Sequence, residues 1–251
     1  MRLDVALVQR GLVESRERAQ QLIAAGSVQV NERVVRKPSA KVADGDDIVL
    51  LSQLRYVSRG GEKLEAALKE FGVNVRGLTA LDVGSATGGF TDCLLQHGAA
   101  KVYCVDVGCD QLAPRLRNDA RVRVWEDTDI RALSSLPDLV DLAVVDVSFI
   151  SLRLVLPAIR QFLKSDASRV IALLKPQFEA GPHQTTKRGV IKDPSVREKV
   201  VANFRAWAER SGWKVQGVIA SPILGKEGNV EYLVDLRPTS IDITPGGCYI
   251  S

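Results

Sequence analysis

The chain has 251 residues, with 34 Lys/Arg against 30 Asp/Glu and a formal net charge of +4. No run of 18 apolar residues occurs and the N-terminus lacks the layout of a secretory signal, which argues against a membrane span and predicts a cytoplasmic protein. The four cysteines form no C-x-x-C pair and there are only two histidines. We therefore expect free thiols and no metal site.

The beginning of the chain predicts two short helices. Asp4 is placed to cap the first, which carries Val5, Leu7 and Val8 and ends at Arg10-Gly11. Ser15 is placed to cap the second, and Gly26 is placed to end it.

Strands are predicted to follow at 28–30, 34–35 and 48–51, with a turn at 31–32. Residues 1–60 hold ten Lys/Arg and seven Asp/Glu, so most of the excess positive charge lies in this part of the chain. That distribution favours a contact with nucleic acid.

The pattern R-L-D-x-x-L-x-x-R-G-L-x-x-S-R, which begins at Arg2 and continues through V-x-V-N to K-P-S at Ser39, resembles the RNA-binding domain of the ribosomal protein S-four type. The resemblance implies that this domain binds structured RNA through a basic face. The candidate residues are Arg2, Arg16, Arg18, Arg33, Lys37 and Lys41. A solvated basic surface is the alternative.

The rest of the chain is organised around the stretch L-D-V-G-S-A-T-G-G-F-T-D at 81–92. It predicts a strand, a tight turn at Gly84–Gly89 and a helix from Phe90. Glycines allow unusual backbone angles and close approach of a ligand, and the helix directs free N–H groups towards the turn. The spacing G-x-x-x-G-G matches neither the dinucleotide fingerprint nor a P-loop, which disfavours a pyrophosphate.

Asp106 ends the next predicted strand, about 20 residues further on, where related folds place a carboxylate that binds a ribose diol. The two features predict an adenosine-containing ligand without a pyrophosphate. They resemble motif I and the following strand of S-adenosylmethionine-dependent methyltransferases. The resemblance implies a cofactor site that contains Asp82, Gly84, Ser85, Thr87, Gly88, Gly89, Phe90, Asp106, Asp129 and Asp146.

Strand and helix patterns alternate from residue 78, which predicts an α/β fold with a Rossmann-like seven-stranded methyltransferase sheet. The predicted strands are 78–83, 101–106, 121–125, 140–146, 169–174, 213–220 and 230–236, and the predicted helices are 90–98, 109–117, 150–164 and 195–211. The last strand should be antiparallel, because 221–229 is too short for a helical crossover. Residues 176–192 are predicted to form a long polar connection, which is more often functional than accidental.

Ionisable residues close several apolar strands, where packing alone explains them poorly. Asp146 and Lys175 end the fourth and fifth strands and Glu231 begins the last. With Lys63, which also fits an exposed helical turn, they resemble the Lys-Asp-Lys-Glu catalytic set of FtsJ-type ribose 2′-O-methyltransferases. Together with the N-terminal domain, the chain resembles the TlyA (hemolysin A) family of ribosomal RNA methyltransferases.

The resemblance implies a reaction at a ribose hydroxyl, which is a poor nucleophile and must be aligned and deprotonated. Lys175 is predicted to orient or deprotonate the hydroxyl and Asp146 to orient Lys175, with Lys63 and Glu231 completing the network. Which lysine carries the proton stays open. Asp146 is followed by V-S-F-I rather than the (N/D)-P-P-(Y/F) signature of amino-group methyltransferases, which favours oxygen as the acceptor.

The sequence predicts an RNA-binding domain at 1–55, a linker at 56–61, a methyltransferase domain at 62–238 and a tail at 239–251. The expected substrate is ribosomal RNA or a ribosomal subunit. Methylation of an RNA base and a non-catalytic ribosome-associated role are the alternatives. A lytic role is disfavoured, because no signal, span or strongly amphipathic basic helix is evident.

Overall fold

The structure is a computed structural model that describes residues 1–51, 55–180, 185–186, 189–225 and 227–239. It separates the chain into two compact units, Met1–Gly61 and Glu62–Ser251. The stretch 56–61, predicted as a linker, falls within the first unit. The predicted tail lies outside the described residues except for Thr239, so the domain boundaries stay predictions.

The first unit packs two helices and a three-stranded antiparallel sheet around a small apolar core. Its elements are α1 Leu3–Gln9, α2 Arg16–Ala25, β1 Val28–Val30, β2 Arg33–Val34 and β3 Ile48–Leu50. The sheet has the order β2-β1-β3. The predicted turn is confirmed, since Asn31 and Glu32 both have positive φ angles, 48° and 64°, which tight hairpin turns require.

The predicted cap of the first helix is wrong, whereas that of the second is confirmed. Ser15 Oγ accepts a hydrogen bond from the Arg18 amide at 3.2 Å, and Gly26 ends α2 in the left-handed conformation. Helix α1 instead begins one residue before Asp4 and buries Leu3, Ala6 and Leu7. Asp4 lies inside the helix because other side chains bind its carboxylate, as described below.

The second unit is built on a seven-stranded sheet, which confirms the predicted fold. Its strands are β4 Thr79–Val83, β5 Lys101–Val105, β6 Val122–Trp125, β7 Leu142–Val145, β8 Arg169–Leu174, β9 Trp213–Ala220 and β10 Tyr232–Pro238. The order is β6-β5-β4-β7-β8-β10-β9, and β10 runs antiparallel to both neighbours, as predicted. The chain changes direction across the sheet between β4 and β7, so the carboxyl ends of these strands border a crevice suited to a ligand.

The helices that accompany this sheet are α3 Gly60–Glu70, α4 Gly89–Gln96, α5 Pro114–Arg117, α6 Leu152–Ile159, α7 Pro176–Glu179 and α8 Pro194–Arg210. Of these, α6 and α8 contribute buried side chains to the main apolar core of the sheet. No helix in the described ranges is long and apolar enough to cross a membrane.

Two predicted helix boundaries are wrong for local reasons, and one predicted connection contains a helix. The helix predicted at 109–117 forms only from Pro114, because Asp110 has a φ of 54°, which a right-handed helix does not allow. Helix α6 ends at Ile159 and continues as a 3₁₀ turn to Phe162. The connection predicted at 176–192 begins with helix α7, which Pro176 can start because its φ suits the first helical position.

Candidate active site

The turn after β4 passes very close to the end of β7. Gly84 has a φ of 80°, and a Cβ atom there would lie 2.6 Å from the Asp146 carbonyl oxygen. Gly88 caps helix α4 with a φ of 96°, and a Cβ there would meet Leu112 and Leu116. Both positions therefore need glycine, for the backbone angle and for space.

Asp106 is held at the carboxyl end of β5 by two backbone amides. Its Oδ2 atom accepts a hydrogen bond from Ala86 N at 2.8 Å, and its Oδ1 atom accepts one from Gly108 N at 2.7 Å. These bonds tie the turn after β4 to the turn after β5. The carboxylate is thus fixed before any ligand arrives, and each oxygen keeps a lone pair that could accept another hydrogen bond.

A cleft of about 540 Å³ opens along this edge of the sheet. Four predicted cofactor residues line it, namely Gly84, Asp106, Asp129 and Asp146. The Asp129 carboxylate is also bound by Arg131, whose Nη2 lies 2.5 Å from Oδ2 and lowers the pKa of Asp129. The other predicted residues do not line this cleft: Asp82 lies within β4, and Ser85, Thr87, Gly88, Gly89 and Phe90 form the turn and the start of α4.

Asp82 is completely buried beneath the turn. Its Oδ2 accepts a hydrogen bond from Thr91 Oγ1 at 2.6 Å, whereas its Oδ1 has no hydrogen-bond partner. Burial raises the pKa of Asp82 to about 7, the Thr91 bond opposes this, and nearby Asp146 adds to it. Asp82 is thus a buried acid that binds its proton more tightly in the folded protein than in the unfolded chain.

This pKa predicts a pH-dependent stability. Because the folded protein keeps the Asp82 proton that the unfolded chain releases near pH 4, the contribution of Asp82 to stability falls as the pH rises from about 4 to 7. A shift of about three units corresponds to roughly 4 kcal/mol. We expect Asp82→Asn to flatten this part of the stability curve, measured by urea unfolding between pH 4 and 8. An unchanged slope would contradict the assignment.

Two of the four predicted catalytic residues form an ion pair at the edge of the cleft. Lys175 Nζ lies 2.7 Å from Asp146 Oδ1, at an angle that does not make a regular hydrogen bond. It also donates a hydrogen bond to Ser148 Oγ at 2.8 Å. The Lys175 side chain is only 11% exposed, so this ammonium group is largely shielded from water.

The other two predicted catalytic residues form a second buried pair. Lys63 Nζ donates to Glu231 Oε2 at 2.5 Å, and the two side chains are 11% and 4% exposed. A Cβ atom at Gly225 would lie 2.4 Å from Glu231 Oε1, so the glycine leaves room for the carboxylate. Lys63 is therefore not part of an exposed helical turn.

The register of the sheet brings the two pairs to the same edge. Tyr232 lies opposite Leu174 in the antiparallel pair β8 and β10. Continuing the register by one residue places Glu231 opposite Lys175, on the same face of the sheet. The structure thus gathers at one edge four residues that span 168 positions of the chain.

Several residues around this edge were not predicted from the sequence. Phe149 is 91% exposed despite its size, has a φ of 64° and packs on Phe178 with ring centroids 5.2 Å apart. Asn229 is buried and binds Gly189 O and Ile191 N, both at 3.0 Å. The sequence gives only a weak signal for Asn229, because its hydrogen-bond partners lie about 40 residues away in the chain.

In the first unit, three predicted RNA-binding residues lie around Asp4. The buried Asp4 carboxylate accepts two hydrogen bonds from Arg2 at 2.9 Å, one from Arg16 at 3.3 Å and one from Gln20 at 2.9 Å. Arg2 also forms a β-bridge with Lys41. These bonds hold the pKa of Asp4 well below its usual range.

The remaining predicted residues lie elsewhere on this unit. Arg18 donates to the Tyr56 carbonyl oxygen at 2.7 Å, Arg33 lies on the edge strand β2, and Lys37 is exposed in the loop before β3. The structure therefore brings Arg2, Arg16 and Lys41 together but does not gather all six residues at one point.

A sheet of this order, with a glycine turn after β4, an acidic residue after β5 and a cleft between β4 and β7, defines a Rossmann-like protein of the methyltransferase class. Residues 56–237 match the FtsJ-like methyltransferase family and residues 1–48 match the S4 domain family. The chain belongs to the FtsJ-like methyltransferase family, and the predicted resemblance to TlyA proteins is confirmed by its relatives.

Three comparisons illustrate this relationship. The 16S/23S rRNA (cytidine-2′-O)-methyltransferase TlyA of Mycobacterium tuberculosis is 45% identical over 94% of this chain and 89% of its own length. Hemolysin A of Brachyspira hyodysenteriae is 44% identical over 93% and 98%. A solved Streptococcus thermophilus structure that carries a hemolysin name is 44% identical, covers 96% of this chain and 89% of its own, and has a TM-score of 0.76.

Proposed function

We propose that this protein transfers a methyl group from S-adenosylmethionine to a ribose 2′-hydroxyl of ribosomal RNA. The proposal is carried by two lysine–carboxylate contacts at the carboxyl edge of the sheet, Lys175–Asp146 and Lys63–Glu231, in which each lysine side chain is only 11% exposed. Relatives named for cytidine-2′-O methylation of ribosomal RNA support the same reaction. The cytoplasmic location predicted from the sequence stays a prediction.

The cleft offers groups suited to the adenosine part of S-adenosylmethionine. Asp106, fixed by Ala86 and Gly108, is placed to accept hydrogen bonds from a ribose diol. Gly84 presents no side chain, and the Asp129 carboxylate also lines the cleft. The bound cofactor would supply a methyl group activated by a positively charged sulfur.

Lys175 is the residue we assign to the ribose hydroxyl. An ammonium group has three N–H bonds, of which Ser148 takes one and Asp146 attracts another. The third can orient the 2′-oxygen, and in its neutral form Nζ can accept the hydroxyl proton as the oxygen attacks. Asp146 then holds the resulting ammonium beside the cleft that it also lines.

Lys63, on α3, and Glu231, just before β10, support this arrangement. Glu231 neutralises Lys63 at 2.5 Å and lies opposite Lys175 in the sheet register. A buried cation would cost several kcal/mol without such a partner. The pair with Glu231 therefore keeps the Lys63 ammonium group at the same edge of the sheet as Lys175 without leaving it unpaired.

The first unit supplies a surface suited to RNA phosphates. Asp4 holds the guanidinium groups of Arg2 and Arg16, whose side chains are still 49% and 59% exposed. Guanidinium groups bind phosphate oxygens in a fixed geometry, and pre-ordering reduces the entropy lost on binding. Recognition of RNA shape by this unit would determine which ribose is methylated, because the riboses of an RNA are chemically alike.

Charge reversal on this surface should weaken RNA binding without changing cofactor affinity. We expect Arg16→Glu, and to a smaller extent Lys37→Glu, to lower RNA affinity and to make the dependence of log K on log[salt] about one unit shallower. Filter binding over a salt series measures the slope, and calorimetry measures cofactor affinity.

Lys199→Glu, at an exposed position on α8, is the charge-matched control and should leave the slope nearly unchanged. Equal loss of RNA and cofactor affinity in Arg16→Glu would refute the division of labour between the two units.

The proposal is tested by incubating the protein with labelled S-adenosylmethionine and ribosomal RNA from a strain that lacks it, as free RNA, as separate subunits and as whole ribosomes. We expect label to enter at least one of these substrates. Tight RNA binding without any label in all of them would instead favour a non-catalytic role.

A further inference from the structure

Helix α7 places a second carboxylate close to the Lys175 site, in addition to Asp146. Glu179 ends this one-turn helix, four residues after Lys175, and its side chain is only 1% exposed. Its Oε2 accepts a hydrogen bond from Ser151 Oγ at 2.7 Å, and its Oε1 accepts one from Leu152 N at 2.6 Å. Burial raises the pKa of Glu179, although both hydrogen bonds act in the opposite direction.

These bonds attach Glu179 to the first residues of helix α6. Ser151 is the N-cap of α6, and Leu152 is its first residue. A carboxylate at this position satisfies a free N–H group and interacts favourably with the helix dipole. Arg153 Nε lies 3.6 Å from the same carboxylate, which adds a favourable charge contact.

The two segments joined by Glu179 are those that form the Lys175 site. Residues 146–152 carry Asp146, Ser148 and Phe149, and residues 175–179 carry Lys175 and Phe178. The segments meet at three places in order: Lys175 with Asp146 and Ser148, Phe149 with Phe178, and Glu179 with the start of α6.

The contact made by Glu179 is placed to fix the turn at 146–152. Phe149 holds a φ of 64°, which a bulky residue adopts only when its surroundings enforce it. The start of the turn is held by a hydrogen bond of 2.9 Å from Asp146 N to the carbonyl oxygen of Val83, the last residue of β4. The end of the turn is held by the Glu179 carboxylate.

We propose that Glu179 is a positioning residue, which fixes the turn at 146–152 so that Ser148 and Asp146 hold Lys175 in place for the reaction. The inference rests on the proposed function and extends it to a residue outside the predicted catalytic set. Glu179 does not touch the reacting atoms in this account. It acts through the turn that carries the partners of Lys175.

The test compares Glu179→Ala with Glu179→Gln. The amide can keep both contacts, because its oxygen can accept from Leu152 N and the Ser151 hydroxyl can reverse its direction to accept from the amide. We expect Glu179→Ala to lower kcat about 10–100-fold, as for a small misplacement of a reacting group, and to raise the KM for S-adenosylmethionine by a smaller factor, because the same turn lines the cofactor cleft. Glu179→Gln should recover most of the activity.

Asp235→Asn is the matched control. Asp235 is a buried carboxylate of the same sheet, 2% exposed in its side chain and paired with Arg169 away from the cleft. The Asp235→Asn substitution should lower the melting temperature with little change in kcat. An equal loss of kcat in Asp235→Asn and Glu179→Ala would overturn the proposal, because the effect would then follow stability alone.

Hydrogen exchange gives a readout that does not depend on turnover. Glu179→Ala should accelerate exchange of the amides at 148–152, Asp235→Asn should not, and Glu179→Gln should lie near the wild type. Unchanged exchange in Glu179→Ala would overturn the inference. Failure of the wild type to methylate any RNA would count against the proposed function instead, while the exchange result would still decide whether Glu179 fixes the turn.

Discussion

Replacement of Lys175 by alanine is expected to lower kcat for methyl transfer by about 10²–10⁴-fold, the range typical of losing a positioned acid or base. The mutation removes the Nζ atom that contacts both Asp146 and Ser148. Single-turnover assays with saturating RNA measure the change, and calorimetry checks that the affinity for S-adenosylmethionine stays within a few-fold of the wild type.

Lys164→Ala is the control for this change. Lys164 also pairs with an aspartate of the same sheet, Asp141, but it is 64% exposed and lies before β8 rather than after it. Loss of this exposed pair should affect stability by less than about 1 kcal/mol and leave kcat unchanged. A Lys175→Ala protein that keeps full kcat would exclude Lys175 from the chemistry.

Gly84→Ala is expected to damage both stability and the cofactor site. The new Cβ would sit 2.6 Å from the Asp146 carbonyl oxygen, on a residue whose φ is 80°. The left-handed conformation costs an alanine about 1–2 kcal/mol, and forcing two backbone segments apart adds about as much or more. We therefore expect a loss of roughly 3 kcal/mol in the free energy of unfolding, with weaker cofactor binding as Asp146 shifts.

Gly72→Ala is the control that measures the cost of the left-handed backbone conformation without steric crowding. Gly72 also has a positive φ, 61°, but a Cβ there has no atom within 4 Å. Its cost should be about 1 kcal/mol, and cofactor affinity should be unchanged. Urea unfolding and cofactor titration of both variants test this; equal costs at the two positions would mean that the close approach to Asp146 is not tight.

The features that could be predicted from the sequence are those set by neighbouring residues. The strand, turn and helix around Gly84 follow from apolar spacing and glycine placement within about a dozen residues, and the antiparallel last strand follows from the length of one loop. The Ser15 cap and the turn at Asn31 are equally local and were also predicted correctly.

The features that were missed depend on distant partners or on backbone angles that the sequence does not reveal. Asp4 looks like a helix cap, but its carboxylate binds Arg16 and Gln20 from the next helix. Asp110 delays helix α5 through a left-handed conformation that an aspartate only sometimes adopts. Glu179 reads as one polar residue in a loop, because its partners lie 27 and 28 positions earlier.

The residues of the candidate site could be predicted from the sequence only in part. Asp146, Lys175 and Glu231 could be predicted because each adjoins an apolar strand. The sheet register places all three at one edge. Lys63 could not be distinguished from a surface residue by its own surroundings in the sequence. Its pairing with Glu231, 168 residues away, required the fold. The catalytic roles of these residues stay predictions.

The most direct test of the central claim is mass analysis of the nucleosides from ribosomal RNA after methylation by the wild-type protein. We predict a methylated nucleoside that fragments to an unmodified base, with the extra methyl group retained on the ribose, and its absence from reactions with Lys175→Ala. A fragment in which the base itself carries the methyl group would contradict the assignment of a ribose hydroxyl as the acceptor.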